Sequence, residues 1–151
     1  MSVEIVPAMI EDASTLAALH QACFAESWTA QSFASLMDSR GSFALVVRRG
    51  ETPIGFILIR AVAGEGEILS IGVVPTERRA GLARSLISQA GERAHTEGAK
   101  ALFLEVSTAN TAARALYEGF GFRQVGMRKS YYREIGKVPE DAAVLKANLP
   151  L

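Results

Sequence analysis

Between Ile68 and Ile87 the chain passes from an apolar strand through an arginine-rich turn of small residues into an amphipathic helix. Arg78 stands three positions before Gly81, and Gly81 two before Ala83. Small residues let a ligand approach the main chain, and a helix start presents unpaired N–H groups to an anion. Arg79 and Arg84 add forked donors suited to phosphate oxygens. The segment points to a phosphate-bearing cofactor. A nucleotide P-loop needs Gly-Lys-Ser/Thr at the helix start, and none is present. A dinucleotide fingerprint needs three glycines, and only Gly81 lies in the turn. The plain alternative is a strand-to-helix turn whose arginines are solvated.

Three further residues could carry chemistry. In strand 101–106, Leu102, Leu104 and Val106 share one face, while Phe103 and Glu105 share the other. A carboxylate in so apolar a strand is costly unless paired, wetted or used. Partial burial would raise its pKa toward the range of a general base. An exposed strand end or an ion pair with an arginine is the alternative. Tyr117, twelve residues on, belongs to the helical stripe Ala113, Leu116, Tyr117, Phe120 and reads as core packing or as a phenolic proton donor. Asn110 reads as the N-cap of that helix, with a hydrogen bond to a passing ligand as the alternative. Cys23 fits a small core position better than a nucleophile. His20 and His95 stand alone, so no metal site is expected.

These residues need a scaffold of alternating elements. A strand is expected at 3–6. A helix runs from about Ala13 to Phe24, with Asp12 as cap and Leu16, Leu19 and Cys23 inward. Glu26 to Thr29 form a break before a short helix ending near Met37. Strands at 43–48 and 54–62 are joined by the turn Arg49–Pro53, and Gly64-Glu65-Gly66 turns the chain into a strand at 67–74 ended by Pro75. The next helix buries Leu82, Leu86, Ala90 and Ala94, flanked by Ala83 and Ile87, and closes at Gly98. Gly91 inside it costs about 1 kcal/mol relative to alanine, and nothing in the sequence explains it. The strand at 101–106 precedes a helix at about 110–119 closed near Gly121, then strands near 122–128 and 141–148. The pattern predicts one α/β domain over residues 1–151 with a mixed sheet.

Composition narrows the class. The 151 residues are 49% hydrophobic and 21% charged, and 16 basic residues balance 16 acidic ones. No global field draws such a chain to nucleic acid or anionic lipid. A single cysteine excludes an internal disulfide and suits a reducing compartment. The first residues lack a signal-type apolar run, and no stretch approaches the ~20 apolar residues of a membrane span. A soluble cytoplasmic protein, monomer or weak dimer, without nucleic-acid or membrane partners, is expected.

Taken together, the Arg-xx-Gly-x-Ala turn, the Leu-Glu-Val strand end and the run Asn110-Thr-Ala-Ala-Arg-Ala-Leu-Tyr117-Glu-Gly-Phe-Gly-Phe122 resemble the GNAT superfamily of acetyl-CoA-dependent N-acetyltransferases. The resemblance spans essentially the whole chain. Trp28, the pair Tyr131-Tyr132 after Arg128-Lys129, and the ending Glu140-Asp141-Ala-Ala-Val are similar to the RimI branch, which acetylates protein N-termini and whose namesake acts on the N-terminal alanine of a small-subunit ribosomal protein. The resemblance implies an α/β single-domain GNAT fold, with a mixed, mostly antiparallel sheet of about seven strands flanked by about four helices. It implies that Ile71, Gly72 and Val73 hold the pantetheine arm and thioester carbonyl, that Arg79, Ala80, Gly81, Leu82, Ala83 and Arg84 wrap the pyrophosphate, and that Asn110 touches the cofactor. Glu105 is implied as general base, Tyr117 as general acid and the Val73 N–H as oxyanion donor, while Trp28 and Tyr131 are expected to line the peptide site. The turn departs from the branch at Ala80 and Ala83, where relatives often carry Arg and Gly. Losing the basic side chain at 80 is expected to weaken phosphate binding modestly.

The amine's own pKa bears on the substrate. An α-amine (about 7.7–8.0) is substantially neutral near pH 7, and a lysine amine (about 10.4) is not; the gap amounts to about 3.4 kcal/mol. One partly buried glutamate suffices for the first, which favours a protein or peptide N-terminus as partner. The rivals are a small-molecule amine or lysine substrate, and a non-catalytic acyl-CoA sensor. A basic cluster around Arg128, Lys129, Tyr131, Tyr132 and Arg133 reads better as a wall of the peptide cleft than as a nucleic-acid surface.

Overall fold

A computed structural model describes residues 2–26, 28–132 and 140–151. Among them the elements run β1 (Val3–Ala8), α1 (Ala13–Cys23), α2 (Ala30–Asp38), β2 (Ser42–Arg49), β3 (Thr52–Val62), β4 (Glu65–Val73), α3 (Leu82–Thr96), β5 (Ala101–Ser107), α4 (Thr111–Glu118), β6 (Arg123–Tyr132) and β7 (Glu140–Asn148). The strands form one sheet in the order β1-β2-β3-β4-β5-β7-β6. Every junction is antiparallel except β4–β5. This is the expected mixed sheet, with helices on both faces.

β2 and β3 are apolar almost throughout because both of their faces are covered. Val47 and Ile57 pack beneath α3 against Leu86, Ile87 and Ala90. Their neighbours Val46 and Leu58 pack on the other face with Leu16, Leu19 and Phe33 from α1 and α2. This second core draws no buried residue from β5, β6 or β7, so the Phe103–Glu105 face of β5 lies beyond it.

Local chemistry refines several expected boundaries. Val62 pairs with Glu65, so the β3–β4 turn is the two-residue Ala63-Gly64, both at positive φ (55° and 81°), and Glu65 and Gly66 already belong to β4. Pro53 lies inside β3 beside a register shift, where a missing N–H is tolerated. The Asp12 carboxylate does not cap α1; it accepts from the Met9 N–H at 2.8 Å and closes a 3-10 turn over Ile10–Asp12. Gly91 gains its reason from the C-terminus. A Cβ there would lie 2.8 Å from Leu151 Cδ1 and 3.6 Å from Leu149 Cδ2, so α3 omits a side chain where the chain end crosses it.

Candidate active site

The site begins where two strands part. β4 and β5 pair only at Glu65↔Ala101, Gly66↔Leu102 and Glu67↔Phe103, although β4 continues to Val73 and β5 to Ser107. Leu58 pairs with Ser70 but Ile59 with Ile68, which leaves Leu69 as an extra, bulged residue on β4 at the point of parting. A bulge bends a strand and re-aims the residues beyond it. The edge of β4 through Ile71, Gly72 and Val73 is therefore free of a β5 partner and presents main-chain groups to the gap.

α1 backs this segment. A Cβ on Gly72 would meet Cys23 Sγ at 2.9 Å, Cys23 Cβ at 3.1 Å and Phe56 Cε1 at 3.1 Å. Cys23, distant in sequence, thus packs directly behind the opened strand, where burial pushes its thiol pKa up against the opposing hydrogen bond and charge of Arg78. Arg78 does not extend outward: its Nε donates to the Val73 carbonyl at 2.8 Å.

The arginine-rich turn comes next. Arg79 (φ 68°) and Gly81 (φ 77°) both adopt left-handed backbone, and no side chain caps α3 at Gly81. Curled main chain ahead of an uncapped helix start leaves N–H groups free for an anion. Arg79, Ala80 and Gly81 are exposed, Leu82 is buried beneath the turn and Ala83 is half-buried. Exposed Arg84 lies over the Phe120 ring, 5.4 Å from its centroid, which joins the first turn of α3 to the end of α4.

α4 supplies Asn110 and Tyr117. The Asn110 Oδ1 accepts from the Ala113 N–H at 3.1 Å, the capping role read from its position. Tyr117 is buried in one cluster with Val73, Leu82, Val106 and Phe122, and its ring meets Phe122 edge-on at 5.8 Å. Burial, aided by nearby Tyr132, raises its phenol to about 12.

Glu105 lies on the uncovered face of β5. Arg128 of β6 reaches over β7 and its Nη1 donates to both Glu105 oxygens at 2.9 and 3.1 Å. Tyr132 donates its hydroxyl to the Glu105 carbonyl at 3.3 Å. Glu67, near the parting point of β4, has its carboxyl pKa raised by burial and by the Glu105 charge, against the lowering effect of Arg60 and Arg128. Sequence spacing did not single out Glu67 or pair Arg128 with Glu105; the sheet order that joins them is invisible to local pattern, and the only signal was a carboxylate at Glu67 just before the apolar run of β4.

The two expected peptide-lining residues stand apart. Trp28 stacks on His20 at 4.8 Å, and its backbone N–H donates to His20 Nδ1 at 3.2 Å. It also borders a groove of about 530 Å³ with Thr29, Gln31, Ser32, Ser35 and Leu36. Tyr131 packs under Arg128, 3.9 Å from centroid to guanidinium carbon, and against Tyr132. Ser27 and Arg133 lie outside the described residues. Among the described residues no His/Cys/Asp/Glu group could hold a metal ion, and no helix is long and apolar enough to cross a membrane.

Residues 13–122 match the family model described as Acetyltransferase (GNAT) family, and the chain belongs to that family of acetyl-CoA-dependent N-acetyltransferases. It is 32% identical over 114 residues to the [ribosomal protein bS18]-alanine N-acetyltransferase of Escherichia coli K12, with 76% of each chain covered. The crystal structure of the ribosomal-protein-S18-alanine N-acetyltransferase from Escherichia coli superposes with a TM-score of 0.91 at 26% identity, covering 99% of this chain and 96% of that one. Arabidopsis thaliana NAA60 in complex with acetyl-CoA shares the fold, with a TM-score of 0.85 at 20% identity and 98% and 99% coverage.

Proposed function

We propose that this protein acetylates the N-terminal α-amine of a protein in the cytoplasm, with the N-terminal alanine of a small-subunit ribosomal protein as its first target. The observation that carries the reading is the gap between β4 and β5, flanked by the carboxylate of Glu105 and the buried, protonated phenol of Tyr117. The likeness to the bS18-alanine enzymes supports the substrate.

In this reading acetyl-CoA lies along the free edge of Ile71, Gly72 and Val73. Its pyrophosphate meets the N–H groups of the turn from Arg79 through Arg84, and Asn110 borders it at the start of α4. Glu105 accepts a proton from the substrate ammonium, directly or through water, and the neutral amine attacks the thioester carbonyl. The Val73 N–H donates to the oxygen on which charge develops. Tyr117 gives its proton to the departing thiolate. A phenol at about 12 stays protonated across the working range, so it holds a proton to give when the neutral amine attacks. Trp28 and Tyr131 form opposite walls of the peptide approach.

Glu105→Gln tests the reading. Turnover of an alanine-initiated peptide is expected to fall about 10²–10⁴-fold, with acetyl-CoA binding retained in calorimetry. Near-normal turnover removes Glu105 as the base.

A further inference from the structure

The ion pair between Arg128 and Glu105 is asymmetric. The Glu105 side chain is 22% exposed and the Arg128 side chain 54% exposed, so a recessed carboxylate is covered by a cation standing outside it. The guanidinium already rests on the Tyr131 ring and can lean there without losing all its partners. Other titratable groups stand on the neighbouring elements. Glu67 on β4 faces it, with Arg60 of β3 paired across from Glu67. Tyr132 of β6 touches its carbonyl, and Tyr117 of α4 lies near Tyr132. Lys146 of β7 covers Phe103 on the same face, and Glu140 of β7 bonds Ser107 next along β5.

We propose that Arg128 is a displaceable stand-in for the substrate ammonium. In the free protein its guanidinium covers Glu105 and offsets the repulsion between Glu105 and Glu67. When the amine arrives, the ammonium takes the place of the guanidinium on Glu105, and Arg128 moves onto Tyr131. The Arg128 end of the pair is exposed and the guanidinium keeps its contact with Tyr131, so the exchange costs little, while removing the guanidinium leaves the two carboxylates to repel each other. Only a cationic amine can make the exchange. Arg128 is thus a positioning residue for the base, and the inference rests on Glu105 serving as that base.

The test is Arg128→Gln, with Arg128→Lys and Arg128→Gln/Glu67→Gln beside it, in pH profiles of kcat and KM for an alanine-initiated peptide. Removing the guanidinium is expected to raise the acidic limb of kcat/KM by about one pH unit. Well above that limb, KM should fall several-fold because the competitor is gone. Lysine should restore the limb, and Glu67→Gln should return it in the double variant. Thermal unfolding confirms that each variant is folded. An unmoved limb, or a KM that rises, overturns the proposal. Glu105→Gln run in parallel separates the two claims: if it stays active the base assignment fails, whereas an inactive Glu105→Gln with an unmoved Arg128→Gln limb defeats the stand-in alone.

Discussion

Gly72→Ala probes the packing of α1 against the strand proposed to hold the thioester. The added Cβ would lie 2.9 Å from Cys23 Sγ, 3.1 Å from Cys23 Cβ and 3.1 Å from Phe56 Cε1. Phe56 is fully buried and in edge contact with Phe33, and Cys23 ends a helix, so neither neighbour yields freely. Overpacking of this kind costs about 1–3 kcal/mol; a value near 2 kcal/mol lowers Tm by about 4–8 °C in a chain of this size. Cys23→Ala removes the nearest of the three atoms and leaves the others, so the double variant should recover about 1 kcal/mol relative to additivity, a coupling well within the range for contacting residues. Urea unfolding of the four proteins, with acetyl-CoA titration of each, gives the cycle. A Gly72→Ala protein as stable as the parent, or a cycle that sums without coupling, would refute the claim that α1 is seated against β4 at this point.

The same geometry sets three further outcomes. Tyr117→Phe keeps the ring packed on Phe122 and should unfold within about 2 °C of the parent while kcat falls at least tenfold; in the parent, no alkaline loss of rate from this phenol should appear below about pH 11. Gly81→Ala meets no atom within 4 Å but must hold φ at 77°, so it should cost about 1–2 kcal/mol by backbone strain and weaken acetyl-CoA binding measurably in calorimetry. His20 is buried and its pKa lies below the ordinary 6.5. The unfolded chain therefore binds the proton more readily, and stability contributed by neutral His20 falls as pH drops below about 6.5. Urea midpoints between pH 7.5 and 5 should show this loss, and His20→Gln should flatten it.

Much of this scaffold was legible because its signals are local. The apolar runs of β2 and β3, the four-residue spacing of Leu82, Leu86, Ala90 and Ala94, and glycines at positive φ after α3 and α4 each rest on a few adjacent residues. The chemistry-bearing residues were also visible by type: a carboxylate in an apolar strand, and a tyrosine on a helical stripe. The features that sequence reading missed depend on distant partners. The parting of β4 from β5 is a property of pairing, marked only by the extra residue Leu69. Arg128 meets Glu105 only because β7 lies between β5 and β6. Gly91 has no local reason at all; its vacancy is filled by the chain end sixty residues later. Cys23 is half-buried rather than a core residue, and it has an unforeseen neighbour, since contact with Gly72 requires the docking angle of α1.

The most direct test of the account is mass spectrometry of two peptides incubated with the protein and acetyl-CoA. One peptide has a free N-terminal alanine and no lysine; the other has a blocked N-terminus and one internal lysine. A single acetyl group on the alanine α-amine and none on the lysine is expected. Acetylation of the lysine in place of the alanine would rule out the N-terminal assignment.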